Sequence, residues 1–332
     1  YLALLTSSSG YQNYVPFVVR DDRPAPFRFQ ASVNTYQAYN DFPRGAGGRS
    51  LYTTPPAVKI SFDRPYAGRG DGQFLTFDLP LVQWLEQSGY DVTYTTDVDT
   101  HENAAALLSH TALITGGHNE YWTKEMYDAF EQARDAGVDL LFSGANAVYW
   151  QVRFEPSAGG APNRTIVCYK SATSDPVQGP LTTTLWRDPI VNRAEQQLMG
   201  IQFGSQQEFP AARAPYVVTN ASSWVFEGTR LSNGDTIPGI VGYEVDRYFP
   251  EYPAPPAVER TLLSTSPFTD NKGAAEVSNS SIYRAPSGAW VFAVGTTEWT
   301  RGLDPAGGNA QVKHIMANVL DRFLSEPPSR GR

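Results

Sequence analysis

Cysteine is almost absent: Cys168 is the single one in 332 residues. An internal disulfide and a cysteine-based zinc cluster are thereby excluded, whereas the compartment stays open, because cysteine-poor chains occur on either side of a membrane. Basic runs are missing too. The 26 Lys and Arg stand against 34 Asp and Glu, a net charge of −8, which argues against nucleic acid or an anionic membrane as the main partner. No apolar stretch approaches the roughly 20 residues of a membrane span. The four histidines, at 101, 110, 118 and 314, are too dispersed for a His-Glu-x-x-His zinc site. A Gly-x-Ser-x-Gly elbow, a dinucleotide Gly-x-Gly-x-x-Gly and a Walker A loop are all lacking. Covalent serine or cysteine catalysis and nucleotide chemistry therefore have no support, and Cys168 reads as a small buried hydrophobe.

What the chain does have is apolar and aromatic residues, 41% and 13%, with 18 Tyr and 7 Trp, against only 18% charged. That is enough to bury a sizeable core. It begins at Tyr1, inside a strand-like pattern and without Met, and so reads as a processed or truncated product. Residues 1–22 suggest two strands, Tyr1–Leu5 and Tyr14–Arg20, around a Ser7-Ser-Ser-Gly10 turn, as if they were the tail of a preceding β-domain. The main domain is expected over 23–326. Strands at 27–33, 90–95, 112–115 and 138–143 alternate with helical stretches at 81–88, 97–110 and 124–136. This pattern predicts βαβ units in a parallel sheet flanked by helices. From 151 to about 280, short segments between Gly/Pro-rich loops read as an additional, mostly antiparallel lobe. The strands 281–284 and 289–295 and an amphipathic helix over 311–324 then complete the domain.

The rest of the chain is organised around Ala112-Leu-Ile-Thr-Gly-Gly-His-Asn-Glu-Tyr-Trp122. An apolar strand stops at Gly116-Gly117, and His118, Asn119 and Glu120 follow directly. In open α/β sheets the crevice beyond the carboxyl ends of the strands is where ligands bind. At such ends the sequence gathers oxygen donors: Tyr36, Tyr39, Tyr52, Glu120 and Asn146, beside His118. Phenolate and carboxylate are hard anionic ligands, better suited to Fe(III) than to a soft-ligand metal. The plainer alternatives are packed tyrosines with bonded hydroxyls, a turn histidine, an Asn146 helix cap and a first-turn carboxylate at Glu120.

Six motifs in order carry a family resemblance: Thr35-Tyr-Gln-Ala-Tyr-Asn40, Ser50-Leu-Tyr52, Gly89-Tyr-Asp-Val-Thr-Tyr-Thr-Thr-Asp97, Gly117-His-Asn-Glu-Tyr-Trp122, Gly144-Ala-Asn-Ala-Val-Tyr-Trp150 and Gly242-Tyr-Glu-Val-Asp-Arg247. From about residue 27 the chain resembles the C-terminal catalytic domain of the N,N-dimethylformamidase large (β) subunit. The resemblance implies a class I glutamine-amidotransferase-like, flavodoxin-like α/β fold in which a mononuclear Fe(III) replaces the thiol. It also implies metal ligands at Glu120, at Tyr52 and at one of Tyr36 and Tyr39, with Tyr36, nearest the strand end, preferred. His118, Asn146 and Glu244 match positions that orient the substrate or move its protons. The implied reaction is hydrolysis of a small amide by metal-activated water. A homo-oligomer and a small partner subunit stay open. The rival is a non-catalytic module that binds carbohydrate or another ligand through its surface Trp and Tyr.

Overall fold

The computed structural model describes residues 1–325 other than 22, 209, 211 and 212. The domain limits expected at 22 and 326 lie outside these described residues.

Five short strands lie parallel, in the spatial order Val92–Thr96, Phe27–Ala31, Ala112–Thr115, Asp139–Phe142 and Trp290–Ala293. Polar alternation is missing from most of them because both faces are covered; 27–31, 112–115, 139–142 and 290–293 are buried throughout. Neighbouring side chains therefore serve different cores. Phe29, Ile114 and Leu141 pack with Leu81, Leu85, Ile315 and Leu320 of the helices Leu79–Gln87 and Ala310–Ser325. Leu113, Leu140 and Phe142 pack with Met126, Tyr127 and Phe130 of the helix Lys124–Asp135. Each such side chain, fully buried, contributes about 1.5–3 kcal/mol. Thr123 starts the Lys124–Asp135 helix by accepting a hydrogen bond from the Met126 N–H.

The expected flavodoxin-like, class I glutamine-amidotransferase-like parallel sheet flanked by helices is not the architecture. The sheet has seven strands and is mixed. Ser281–Arg284 runs antiparallel to Trp290–Ala293, and Glu259–Leu262 is antiparallel to Ser281–Arg284. The physical reason is the tight turn at Ala285–Gly288, closed by the Gly288 N–H on the Ala285 carbonyl at 2.9 Å. Such a turn reverses the chain and leaves no room for a crossover helix. Among the described residues five further small sheets stand beside this one, and helices are few. Among the described residues only the run 71–87, which contains the π-helical turn Phe74–Asp78, and the helices Lys124–Asp135 and Ala310–Ser325 exceed three turns. No helix of the described residues is long and apolar enough to cross a membrane.

Within 151–280 the strand pairs 202–206 with 244–247, 214–217 with 236–241, and 266–269 with 275–278 are all antiparallel. They do not form a detached body. Tyr216, Ile237, Val241 and Val245 share one apolar cluster with Phe27 and Phe29. The first residues form a hairpin, Leu2–Thr6 with Gln12–Pro16, so the second strand lies earlier than the 14–20 pattern suggested. The strand expected over 27–33 ends at Ala31, and the polar and aromatic residues beyond it form the helix Val33–Tyr39.

Candidate active site

The carboxyl ends of the parallel strands come together at three close backbone approaches. A Cβ on Gly116 would stand 2.4 Å from Ser32 Oγ and 2.6 Å from Asp78 Oδ1, and one on Gly144 would stand 1.7 Å from the Gly117 carbonyl oxygen. Only glycine permits such packing. The turn after Gly117 is then clamped from both sides. The Glu120 N–H donates to Thr35 Oγ1 at 3.0 Å. The Glu120 carbonyl accepts from the Tyr149 and Trp150 N–H groups, and the Asn119 carbonyl accepts from Val148 N–H at 2.9 Å. Val148 is held at a φ of 56°, a left-handed conformation unusual for a β-branched residue and of the strained kind that clusters at functional sites.

Glu120 is 2% exposed, and its carboxylate is the centre of the site. The Tyr52 hydroxyl donates to Oε1 at 2.6 Å, and the Tyr39 hydroxyl donates to Oε2 at 3.1 Å. The two phenol rings stack at 4.2 Å, and Tyr121 donates its hydroxyl to that of Tyr52 at 2.7 Å. The Tyr52 residue is 39% exposed overall, but its hydroxyl end is enclosed by Glu120 and Tyr121. Burial, reinforced by the Glu120 charge, pushes both the Tyr39 and the Tyr52 phenols well above the usual tyrosine range. Burial likewise raises the Glu120 carboxyl, against the opposing pull of His118 and Lys170.

His118 stands beside this trio. Its Nε2 lies 3.5 Å from Glu120 Oε2 and 2.9 Å from Glu244 Oε2. The latter pair is close but not aligned as a hydrogen bond, so both atoms keep an unused direction. Burial works against the imidazolium, yet Glu244 and Glu120 outweigh it and raise the His118 pKa. On the other side of the ring, Nδ1 is 2.9 Å from Gln73 Oε1.

The structure thus brings Tyr39, Tyr52, Glu120, His118 and Glu244 together. Tyr36, the preferred tyrosine of the sequence reading, turns elsewhere: its hydroxyl donates to the buried Asp78 carboxylate, and no contact joins it to Glu120. The helix Val33–Tyr39 explains the difference, since residues three apart differ in direction by about 60° on a helix of 3.6 residues per turn. Asn146 has a left-handed φ of 53°, which Asn tolerates. Its N–H donates to Asp246 Oδ1 at 2.8 Å, and its own Oδ1 is buried without a partner. No helix follows it, so the helix-cap alternative fails. Asp246 lies two residues from Glu244 on the strand Glu244–Arg247, hence on the same face.

Lys170 was not picked out from the sequence. Its Nζ sits 3.6 Å from the Tyr52 ring centroid and 5.1–5.2 Å from those of Trp150 and Tyr121. With Tyr39 stacked on Tyr52, the ammonium must take the opposite ring face. A signal existed only in hindsight: a lone lysine following the buried run 166–168. Gln73 and Asp78 were missed for the same reason, as polar residues outside any motif.

As to a metal, no three His, Cys, Asp or Glu side chains are grouped as a cation site among the described residues. A cation here would draw on the phenols. Two hydroxyl groups directed at one buried carboxylate make an all-oxygen, potentially trianionic set that fits a hard trivalent ion.

The fold and the site define a mixed α/β domain with a buried carboxylate–phenol–imidazole centre at its strand ends. The chain belongs to the family described as N,N-dimethylformamidase beta subunit-like, C-terminal, whose model matches residues 1–313. Two curated relatives are named N,N-dimethylformamidase beta subunit, one from Alcaligenes sp and one from Paracoccus aminophilus. Each is 24% identical over 342 residues, covering 90% of this chain. The chain spans 42% of the length of each relative. A crystal structure of a ThuA-like protein from Bacteroides uniformis aligns at a TM-score of 0.44 and 14% identity, over 96% of this chain and 97% of that one.

Proposed function

We propose that the chain carries the active site of an amidohydrolase that cleaves the C–N bond of a small amide, formamides first. The observation that carries this reading is the convergence of Tyr39, Tyr52 and Glu120 beside His118 and Glu244. The names of the curated relatives support the substrate class. Tyr39, Tyr52 and Glu120 would hold a single Fe(III), which when bound supplies Lewis-acid polarisation of the amide carbonyl.

The chain's own residues supply the rest. His118 takes up or releases a proton at Nε2, the ring atom facing the carboxylates, and Glu244 at 2.9 Å steadies the charged imidazole. The buried Oδ1 of Asn146 accepts from an N–H of the substrate or the departing amine. Lys170 leaves the site less negative than its carboxylates and phenols alone would make it. The relatives' designation as a beta subunit extends the proposal to a partner subunit.

The test is amine release from a panel of formamides, acetamides and larger amides, with iron-replete protein whose metal content is measured. Cleavage of at least one small amide is expected. A panel left intact, while a sugar or peptide binds tightly and unchanged, would replace this reading with a ligand-binding module.

A further inference from the structure

We propose that Gln73 is a positioning residue that fixes the tautomer of His118, holding its hydrogen on Nδ1 and turning Nε2 to the carboxylates. The inference rests on the amidohydrolase reading only for the use made of that proton. Gln73 ends the short helical turn Asp71–Gln73 and leads directly into a π-helical turn, Phe74–Asp78. Such turns are rare and recur at functional sites. This turn and the residue before it direct three side chains at His118 and the glycine preceding it. Gln73 Oε1 reaches His118 Nδ1 at 2.9 Å. The Phe77 ring packs edge-on to the imidazole at 5.3 Å and 71°. Asp78 Oδ1 accepts from the Gly117 N–H at 2.8 Å. The backbone before His118 and the Nδ1 edge of its ring are thus held by one segment, which also packs Phe77 against the imidazole.

A carboxamide oxygen has no proton to give, so the hydrogen of this contact must lie on Nδ1. That holds for the neutral and the charged imidazole alike, and in the neutral ring it leaves the lone pair on Nε2, 2.9 Å from Glu244 and 3.5 Å from Glu120. Without Gln73 a neutral ring could place its one proton on either nitrogen. The form with hydrogen on Nε2 would be drawn to the carboxylates and would present no lone pair at the site.

The test is nitrogen NMR of histidine-labelled protein purified without added metal, with His118 assigned among the four histidines by comparison with His118→Asn. Nδ1 is expected to be pyrrole-like in the wild-type chain and to lose that fixed signature in Gln73→Leu. Gln73→Glu, which keeps an acceptor oxygen, restores it. With iron-replete enzyme, Gln73→Leu is expected to lower kcat about 10- to 100-fold, by analogy with the partners that orient metal-bound histidines, with KM little changed. A pyridine-like Nδ1 in the wild type, or a folded Gln73→Leu chain with the wild-type signature, would overturn the proposal. If the signature shifts as expected but no amide is cleaved by the wild type, the amidohydrolase reading fails and the positioning role stands.

Discussion

Replacing Glu120 by Gln separates what the carboxylate does for the fold from what it does for the site. The wild-type carboxylate is 2% exposed and accepts hydroxyls from Tyr52 at 2.6 Å and Tyr39 at 3.1 Å. The amide keeps one acceptor oxygen and puts an NH2 in place of the other. One phenol then loses its acceptor, and an unmade buried hydrogen bond costs about 1–3 kcal/mol. The opposing effect is desolvation. Burial disfavours the ionised carboxylate and raises its pKa, and a neutral amide of the same shape escapes that penalty. The two effects are comparable, so we expect a net stability change within about 2 kcal/mol, a few degrees at most in a chain of this size. Iron binding should respond quite differently, because the central anionic ligand is gone. Calorimetry, metal content per chain and the visible absorption of ferric phenolate measure the two effects on one sample. A Glu120→Gln chain that folds, keeps one iron per chain and still releases amine would refute the ligand assignment.

Tyr39→Phe should lower iron content while Tyr36→Phe leaves it unchanged, since only the Tyr39 hydroxyl meets Glu120; equal loss in both would return Tyr36 to the site. Tyr36→Phe should instead destabilise the chain by about 1–3 kcal/mol, because the buried Asp78 loses a donor, as denaturant unfolding would show. Asp97 gives a pH prediction. Burial raises its carboxyl from the usual 3.8 to about 8, so the folded state binds its proton more tightly than the unfolded state does. The stability contributed is complete below about pH 4 and is lost as pH rises towards 8. Asp97→Asn should therefore flatten the decline of unfolding free energy between pH 5 and 8, and a variant with the wild-type slope would exclude Asp97 as its source.

Short-range signals carried well. The apolar run 112–115 ending in two glycines predicts a buried strand and a tight turn, and both are present because burial on two faces demands unbroken apolar residues. The helix at 124–135 is legible from its spacing and from Thr123 as its cap. Long-range geometry was less legible. The mixed sheet was partly readable: only four residues, 285–288, part the expected strands 281–284 and 289–295, too few for the crossover that a parallel pair requires. The choice between Tyr36 and Tyr39 depended on residues 34–39 being helical, and a polar, aromatic stretch without apolar periodicity gives no sign of that. Lys170 and Gln73 reach the site from loops and turns far along the chain, so no local spacing announces them.

The placement of Tyr52 bears on how molecules come and go. Glu120, His118 and Glu244 are sealed in, yet one ring that bonds Glu120 through its hydroxyl also meets solvent and carries a lysine ammonium on its outer face. On that side the wall between water and the reacting groups is a single aromatic ring thick. Of the two side chains Lys170 is the freer, since the Tyr52 hydroxyl is held by Glu120 and Tyr121, and lysine side chains move on the nanosecond scale when exposed and more slowly when packed. Tyr52 and Lys170 thus belong at once to the lining of the site and to the protein's outer wall.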